Sequence, residues 1–171
     1  HDGTGIGVAV LDSAFDYLQT ALGGSTPKNA SCPGCFNPVV DYMVDIAGVT
    51  GTGDNDVYPA PATPSTQCTG SYHGTGTAGI VHRYAPGAKL FMVKVIKDGS
   101  TSTYTSTMAA GVNWCVTNQF VGTVPIRITT MSIGGGRYFG DCPSGVVQSA
   151  YDNARAAGIV SFQSAGNSGF D

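Results

Sequence analysis

Glutamate is absent from the chain: all eleven acidic residues are aspartate, set against eight scattered lysines and arginines. Aspartate belongs to turns, caps and loop sites, so a helical surface laced with i,i+4 ion pairs is excluded. Charged residues of both signs amount to only 11% of the sequence, and the formal charge is −3. That excludes a basic face for nucleic acid, and no nucleic-acid partner is expected. No apolar run approaches the ~20 residues that span a bilayer, so no membrane partner is expected either. Internal repeats are missing, as is a secretory signal pattern. The first residue is His1 rather than Met, which fits a processed N-terminus or a fragment.

Glycine is what the chain has in quantity, 25 of 171 residues, alongside 42% hydrophobic residues. This composition describes one turn-rich globular domain with a real core, neither disordered nor fibrous. The five cysteines point weakly to an oxidising compartment. Cys32, Cys35, Cys68 and Cys142 lie in Gly/Pro/Ser-rich stretches that read as surface loops, whereas Cys115 sits in a helical pattern as a buried thiol. Four loop cysteines can pair in three ways. The "CPGC" of Cys32–Cys35 could also be a redox pair or half a zinc site. A redox pair should open a helix, yet Asn37-Pro38 follows at once, and a zinc site needs a second close pair. Disulfides are therefore expected. Asn29-Ala30-Ser31 is a glycosylation sequon of the kind that arises by chance.

Four apolar stretches read as strands: "IGVAVLD" (6–12), "AKLFMVKVI" (88–96), "IRITTMS" (126–132) and "GIVSFQSA" (158–165). Between them, Met108, Val112, Cys115 and Val116 recur at helical spacing, as do Val147, Ala150, Tyr151 and Ala154. Ser144 offers an N-cap and Gly158 a C-terminal stop for the second helix. Strands alternating with helices imply a mostly parallel sheet with right-handed crossovers, helices on both faces and one α/β domain. The stretch 20–72 reads as a loop-rich insertion, with "VVDYMVDI" (39–46) a short strand inside it. Ligands gather beyond the carboxyl ends of such strands. Asp12-Ser13, Ser132 and Asn167 all stand there.

"GTGTAG" (74–79) matches the glycine spacing of a dinucleotide loop. Such a loop must follow a strand that aims it at the phosphates, and "PAPATPSTQCTGSYH" contains no strand pattern. The glycines of "GTGIGVAVLD" fail in the opposite way, because they precede their strand. An oxidoreductase reading is thereby weakened. The alternative is a helix beginning at His73, in which Gly74, Gly76 and Gly79 each cost roughly 1 kcal/mol relative to alanine. Three such breaks imply a close approach by a neighbour. An imidazole held at a helix start can face a carboxylate such as Asp12, the orienting half of a nucleophilic triad.

"GIGVAVLDSAFD" resembles the catalytic-aspartate segment of subtilisin-like serine proteases. "HGTGTAGIV" with "APGAKLFMVKVI" resembles their histidine helix and the strand after it. "GVNWCVTN" and "ITTMSIGGG" resemble the next helix and the substrate-lining strand, and "ARAAGIVSFQSAGNSG" the approach to their oxyanion asparagine. Four motifs in family order cover most of the chain outside 20–72. The resemblance implies a three-layer α/β/α fold, here incomplete, and hydrolysis of a polypeptide substrate by a secreted, monomeric serine endopeptidase. It implies that Asp12 orients His73, that His73 is general base and then general acid, and that the Asn167 amide binds the oxyanion. Ser132, Ile133 and Gly134 would pair with an extended substrate peptide.

The family's nucleophilic serine lies in a Gly-Thr-Ser-Met-Ala motif beyond the asparagine, and residues 1–171 contain none. The expectation is a peptidase domain truncated before its nucleophile and inactive alone. Ser168 does not replace it, because Phe170 stands where a nucleophile elbow has its last glycine. An inactive peptide-binding module is the alternative, although it would need neither Asp12, His73 nor Asn167. Ala14 and Gly76 also depart from the family pattern, and Gly76 leaves open how the histidine helix is buttressed. Only "HRY" (82–84) separates that helix from "APGAKL", too short for the calcium loop of many relatives, and His82 reads as a solvated or interface residue. Asp54 and Asp56 alternate as calcium ligands can, but a turn of solvated acids is the expectation, with no metal and no cofactor.

Overall fold

The structure is a computed structural model that describes residues 1–48, 57, 73–135 and 145–167. Five strands form one sheet: β1 (Gly7–Asp12), β2 (Val40–Asp45), β3 (Lys89–Lys94), β4 (Ile126–Met131) and β5 (Val160–Gln163). Three helices join them, α1 (His73–Tyr84), α2 (Thr105–Thr117) and α3 (Val146–Ala156). Every pairing is parallel and the strand order is β2-β3-β1-β4-β5. The unbroken apolar run of β1 takes the central place, and all six of its residues are buried. All five strands fall within the stretches read from the sequence. The helix read from the spacing of Met108, Val112, Cys115 and Val116 spans Thr105–Thr117. Gly158, at φ +75°, ends α3 as expected; Gly145 occupies its N-cap, and Ser144 lies outside the described residues.

The two faces of the sheet carry different layers. Val8, Val10, Leu90 and Met92 pack with Ala78 of α1. Ala9, Leu11, Phe91 and Val93 pack on the opposite face with Ala109, Val112 and Cys115 of α2 and with Ala150 and Ala154 of α3. The Cys115 thiol is buried as expected, and burial pushes its pKa up to about 12. From β2 to β3, β3 to β4 and β4 to β5 the chain advances in one direction across the sheet. Helix α1 nonetheless lies on the face opposite to α2 and α3. The crossover through α1 therefore has the opposite hand to the other two, and right-handed connection does not hold throughout. Roughly 98% of such crossovers share one hand, because strand twist favours it.

The edges of the sheet differ. Along β2, the Met43 amide donates to the Lys28 carbonyl, and the Asn37 carboxamide holds the preceding loop by four backbone bonds, to Leu22, Ser25, Val39 and Val40. Cys32 is bonded to Cys35 in this loop; Cys68 and Cys142 lie outside the described residues. Asn29 is buried, and its side-chain oxygen accepts from the Cys32 amide at 2.6 Å. At the other edge, Val160 and Phe162 of β5 are both more than half exposed. Inside, Asp41 of β2 accepts from the amides of Thr123 and Val124 and from the Thr123 hydroxyl, anchoring the loop that feeds β4.

Helix α2 meets the sheet through Gly111, where an added Cβ would stand 2.7 Å from Val95 Cγ1 and 3.0 Å from Leu11 Cδ2. Gly111→Ala should therefore destabilise the fold by about 1–3 kcal/mol through overpacking. The check is a lower urea midpoint with an unchanged slope; an unshifted midpoint would contradict this packing.

Candidate active site

Asp12 closes the central strand at the point where chain connections pass from one side of β1 to the other, the place where open α/β sheets put their chemistry. Its position in the alternation of β1 is that of Val8 and Val10, on the α1 face. The carboxylate is fully buried. It accepts from the Ser13 amide at 2.7 Å and from the Thr77 hydroxyl at 3.2 Å. His73, the first residue of α1, places Nδ1 2.8 and 3.0 Å from the two carboxylate oxygens. An ionised carboxylate only accepts, so Nδ1 carries the proton and Nε2 becomes the acceptor. The ring stays accessible, with the His73 side chain 55% exposed.

The first turn of α1 is docked on the segment after β1 by side chain to backbone bonds from both sides. The Gly74 amide donates to Ser13 Oγ at 3.0 Å, and the Asp16 amide donates to Thr75 Oγ1 at 2.8 Å. These bonds answer how the helix is buttressed with glycine at position 76. Of the three glycines expected to mark a close approach, only Gly74 does so among the described residues: an added Cβ would lie 2.7 Å from the Ala14 carbonyl oxygen and 2.9 Å from that of Ser13. No described atom comes within 4 Å of a Cβ at Gly76 or Gly79. His82 is half-buried rather than solvated. Its Nδ1 is buried and has no hydrogen-bond partner among the described residues.

Ser132, Ile133 and Gly134 leave the carboxyl end of β4, and Ser132 and Gly134 are exposed. Asn167, also exposed, follows β5 through Gly166, whose φ of +90° is a left-handed conformation that suits glycine. An added Cβ at Gly134 would lie 3.8 Å from Ser164 Oγ and 4.0 Å from Gly166 Cα, so the two segments run side by side. The expected residues thus share one sheet edge, with Asp12 and His73 in direct contact. Asp54, Asp56 and Ser168 lie outside the described residues.

Sequence reasoning missed Lys94. This residue is 1% exposed, pairs in register with Asp12, and lies 2.9 Å from Asp98 Oδ2 and 3.6 Å from Asp45 Oδ2. A lysine inside the apolar run "LFMVKVI" was the available signal, because such a cation must find buried partners. Burial raises the Asp45 pKa, against the opposing pull of Lys94.

The family model of the subtilase family matches residues 3–171. The chain belongs to the subtilase family. It is 33% identical over 111 residues to subtilisin DY of Bacillus licheniformis, covering 58% of this chain and 35% of that protein. It is 30% identical over 118 residues to subtilisin Savinase of Lederbergia lenta, covering 64% of this chain and 39% of that protein. Among solved structures, a cold-adapted subtilisin-like serine proteinase superposes with a TM-score of 0.62 at 25% identity, over 98% of this chain and 48% of that one. Sphericase gives 0.62 at 26% identity, over 99% and 48%. The chain spans a little over a third of these sequence relatives and about half of the solved structures.

Two outcomes follow from the site. Gly74→Ala forces α1 off two backbone carbonyls and should lengthen the Asp12–His73 bond, checked by the downfield Nδ1 proton resonance, which should weaken or vanish. The raised Asp45 pKa means that the folded state holds this proton more tightly than the unfolded chain. Its stabilising contribution is complete below the ordinary aspartate pKa of about 4 and is lost as pH rises through the higher folded value. Asp45→Asn should remove that declining component from a stability profile measured between pH 3 and 7.

Proposed function

We propose that the protein to which residues 1–171 belong is a secreted serine endopeptidase acting through an Asp-His-Ser triad. The observation that carries this reading is the pairing of the buried Asp12 carboxylate with His73 Nδ1 at 2.8 Å. In this arrangement Asp12 fixes the tautomer and stabilises the imidazolium as it forms. His73 Nε2 takes the proton from a serine hydroxyl supplied by residues outside 1–171, and the serine oxygen attacks the peptide carbonyl. His73 then gives that proton to the departing amine, leaving an acyl-enzyme that water hydrolyses by the reverse use of the same base. The Asn167 amide donates to the oxyanion, a role whose loss typically costs about 100- to 1,000-fold in turnover. The substrate is an extended polypeptide lying along Ser132–Gly134, and the working form is a monomer without a cofactor.

Secretion is supported by the loop disulfide Cys32–Cys35 and by kinship with the two subtilisins. Among the described residues no helix is long and apolar enough to cross a membrane.

The test treats the natural gene product with a fluorophosphonate probe and maps the modified peptide. The expected result is one labelled serine outside residues 1–171, with labelling abolished by His73→Ala. A natural product that folds and takes no label would overturn the peptidase reading and favour a peptide-binding module.

A further inference from the structure

Beyond the bond from the Ser164 amide to the Met131 carbonyl, at 3.2 Å, β4 and β5 part into segments 132–134 and 164–167. A side chain then takes over the tie. Gln163 Nε2 donates to the Ile133 carbonyl at 2.5 Å. The Ile133 carbonyl can only accept, so it takes the amino end of the amide, and Gln163 Oε1 is left to accept from the Tyr151 hydroxyl of α3. The Tyr151 hydroxyl also lies 3.9 Å from the Met131 sulfur. Burial pushes the Tyr151 phenol up to about 12, so the hydroxyl keeps its proton and remains a donor.

The consequence follows from backbone alternation. Successive residues of an extended segment turn their N–H and C=O groups to opposite sides. Met131 and Ile133 both direct their carbonyls towards β5. Ser132 and Gly134 accordingly turn theirs to the other side, where β1 has ended at Asp12. An edge of this kind, with unpaired groups two residues apart, accepts an added peptide strand.

We propose that Gln163, oriented by Tyr151, is a positioning residue for substrate: it holds the Ile133 carbonyl so that Ser132 and Gly134 present their backbone groups to an extended peptide. This rests on the peptidase reading, and it adds a chain of contacts from α3 through β5 to the substrate edge. Neither side chain touches the reacting bond, so their effect falls on the binding of residues away from it.

The test measures KM and kcat of the whole natural protein on peptides lengthened one residue at a time on the amino side of the scissile bond. Gln163→Glu keeps the size of the side chain but removes the donor, and Gln163→Ala removes both. Each should raise KM for the long peptides about three- to tenfold, the effect of one neutral hydrogen bond, while kcat and the shortest substrate stay unchanged. Tyr151→Phe should give a smaller rise of the same kind. Melting curves identify a variant that fails to fold, and the remaining variants then carry the comparison. An unaltered dependence on peptide length would overturn the proposal. If the wild-type protein hydrolyses nothing, the peptidase reading fails by itself, and the backbone chemical shifts of Ser132 and Gly134 take over as readout. Displaced shifts in the Gln163 variants would uphold the positioning of the edge; unchanged shifts would overturn it.

Discussion

The contact between Asp12 and His73 sets terms that much of the architecture meets. Asp12 is the last residue of a strand buried on both sides, and its side chain can leave the sheet only towards the α1 face. A histidine on a helix packed against the other face would be separated from it by the thickness of the sheet. The helix that begins at His73 does lie on the correct face, and to do so its crossover takes the hand opposite to its neighbours. The disfavoured connection is stabilised locally: Ser13, Thr75 and Thr77 bond the first turn of α1 to the end of β1, and Gly74 removes the one Cβ that would hold them apart.

Much of this was legible in the sequence because it rests on local patterns. The apolar run 6–12, the 3.6-residue spacing around Val112 and Ala150, and the stop at Gly158 each belong to a single element. Their identification needs no knowledge of what packs against them. The pairing of Asp12 with His73 was suggested by residue type and by family resemblance. The polar residues at the other strand ends were expected from where such sheets concentrate their chemistry.

What the sequence hid was relational. Handedness depends on which face each helix covers, which no element declares alone. The three glycines of α1 look alike in the sequence, yet among the described residues only Gly74 meets a backbone across the interface. Lys94 reads as a break in an apolar run until Asp45 and Asp98 are seen beside it. Gln163 reads as an ordinary polar residue at a strand end. Its meaning depends on Tyr151 twelve residues earlier and Ile133 thirty residues earlier, separations that carry no sequence signature.

The two margins of the sheet are unlike among the described residues. The outer side of β2 is taken by the Lys28 carbonyl and by a loop fastened through Asn37 and Cys32–Cys35. The outer side of β5 carries exposed apolar side chains. A margin whose backbone already bonds to its own chain is closed to an added strand, so β2 is protected in the way that sheet edges require.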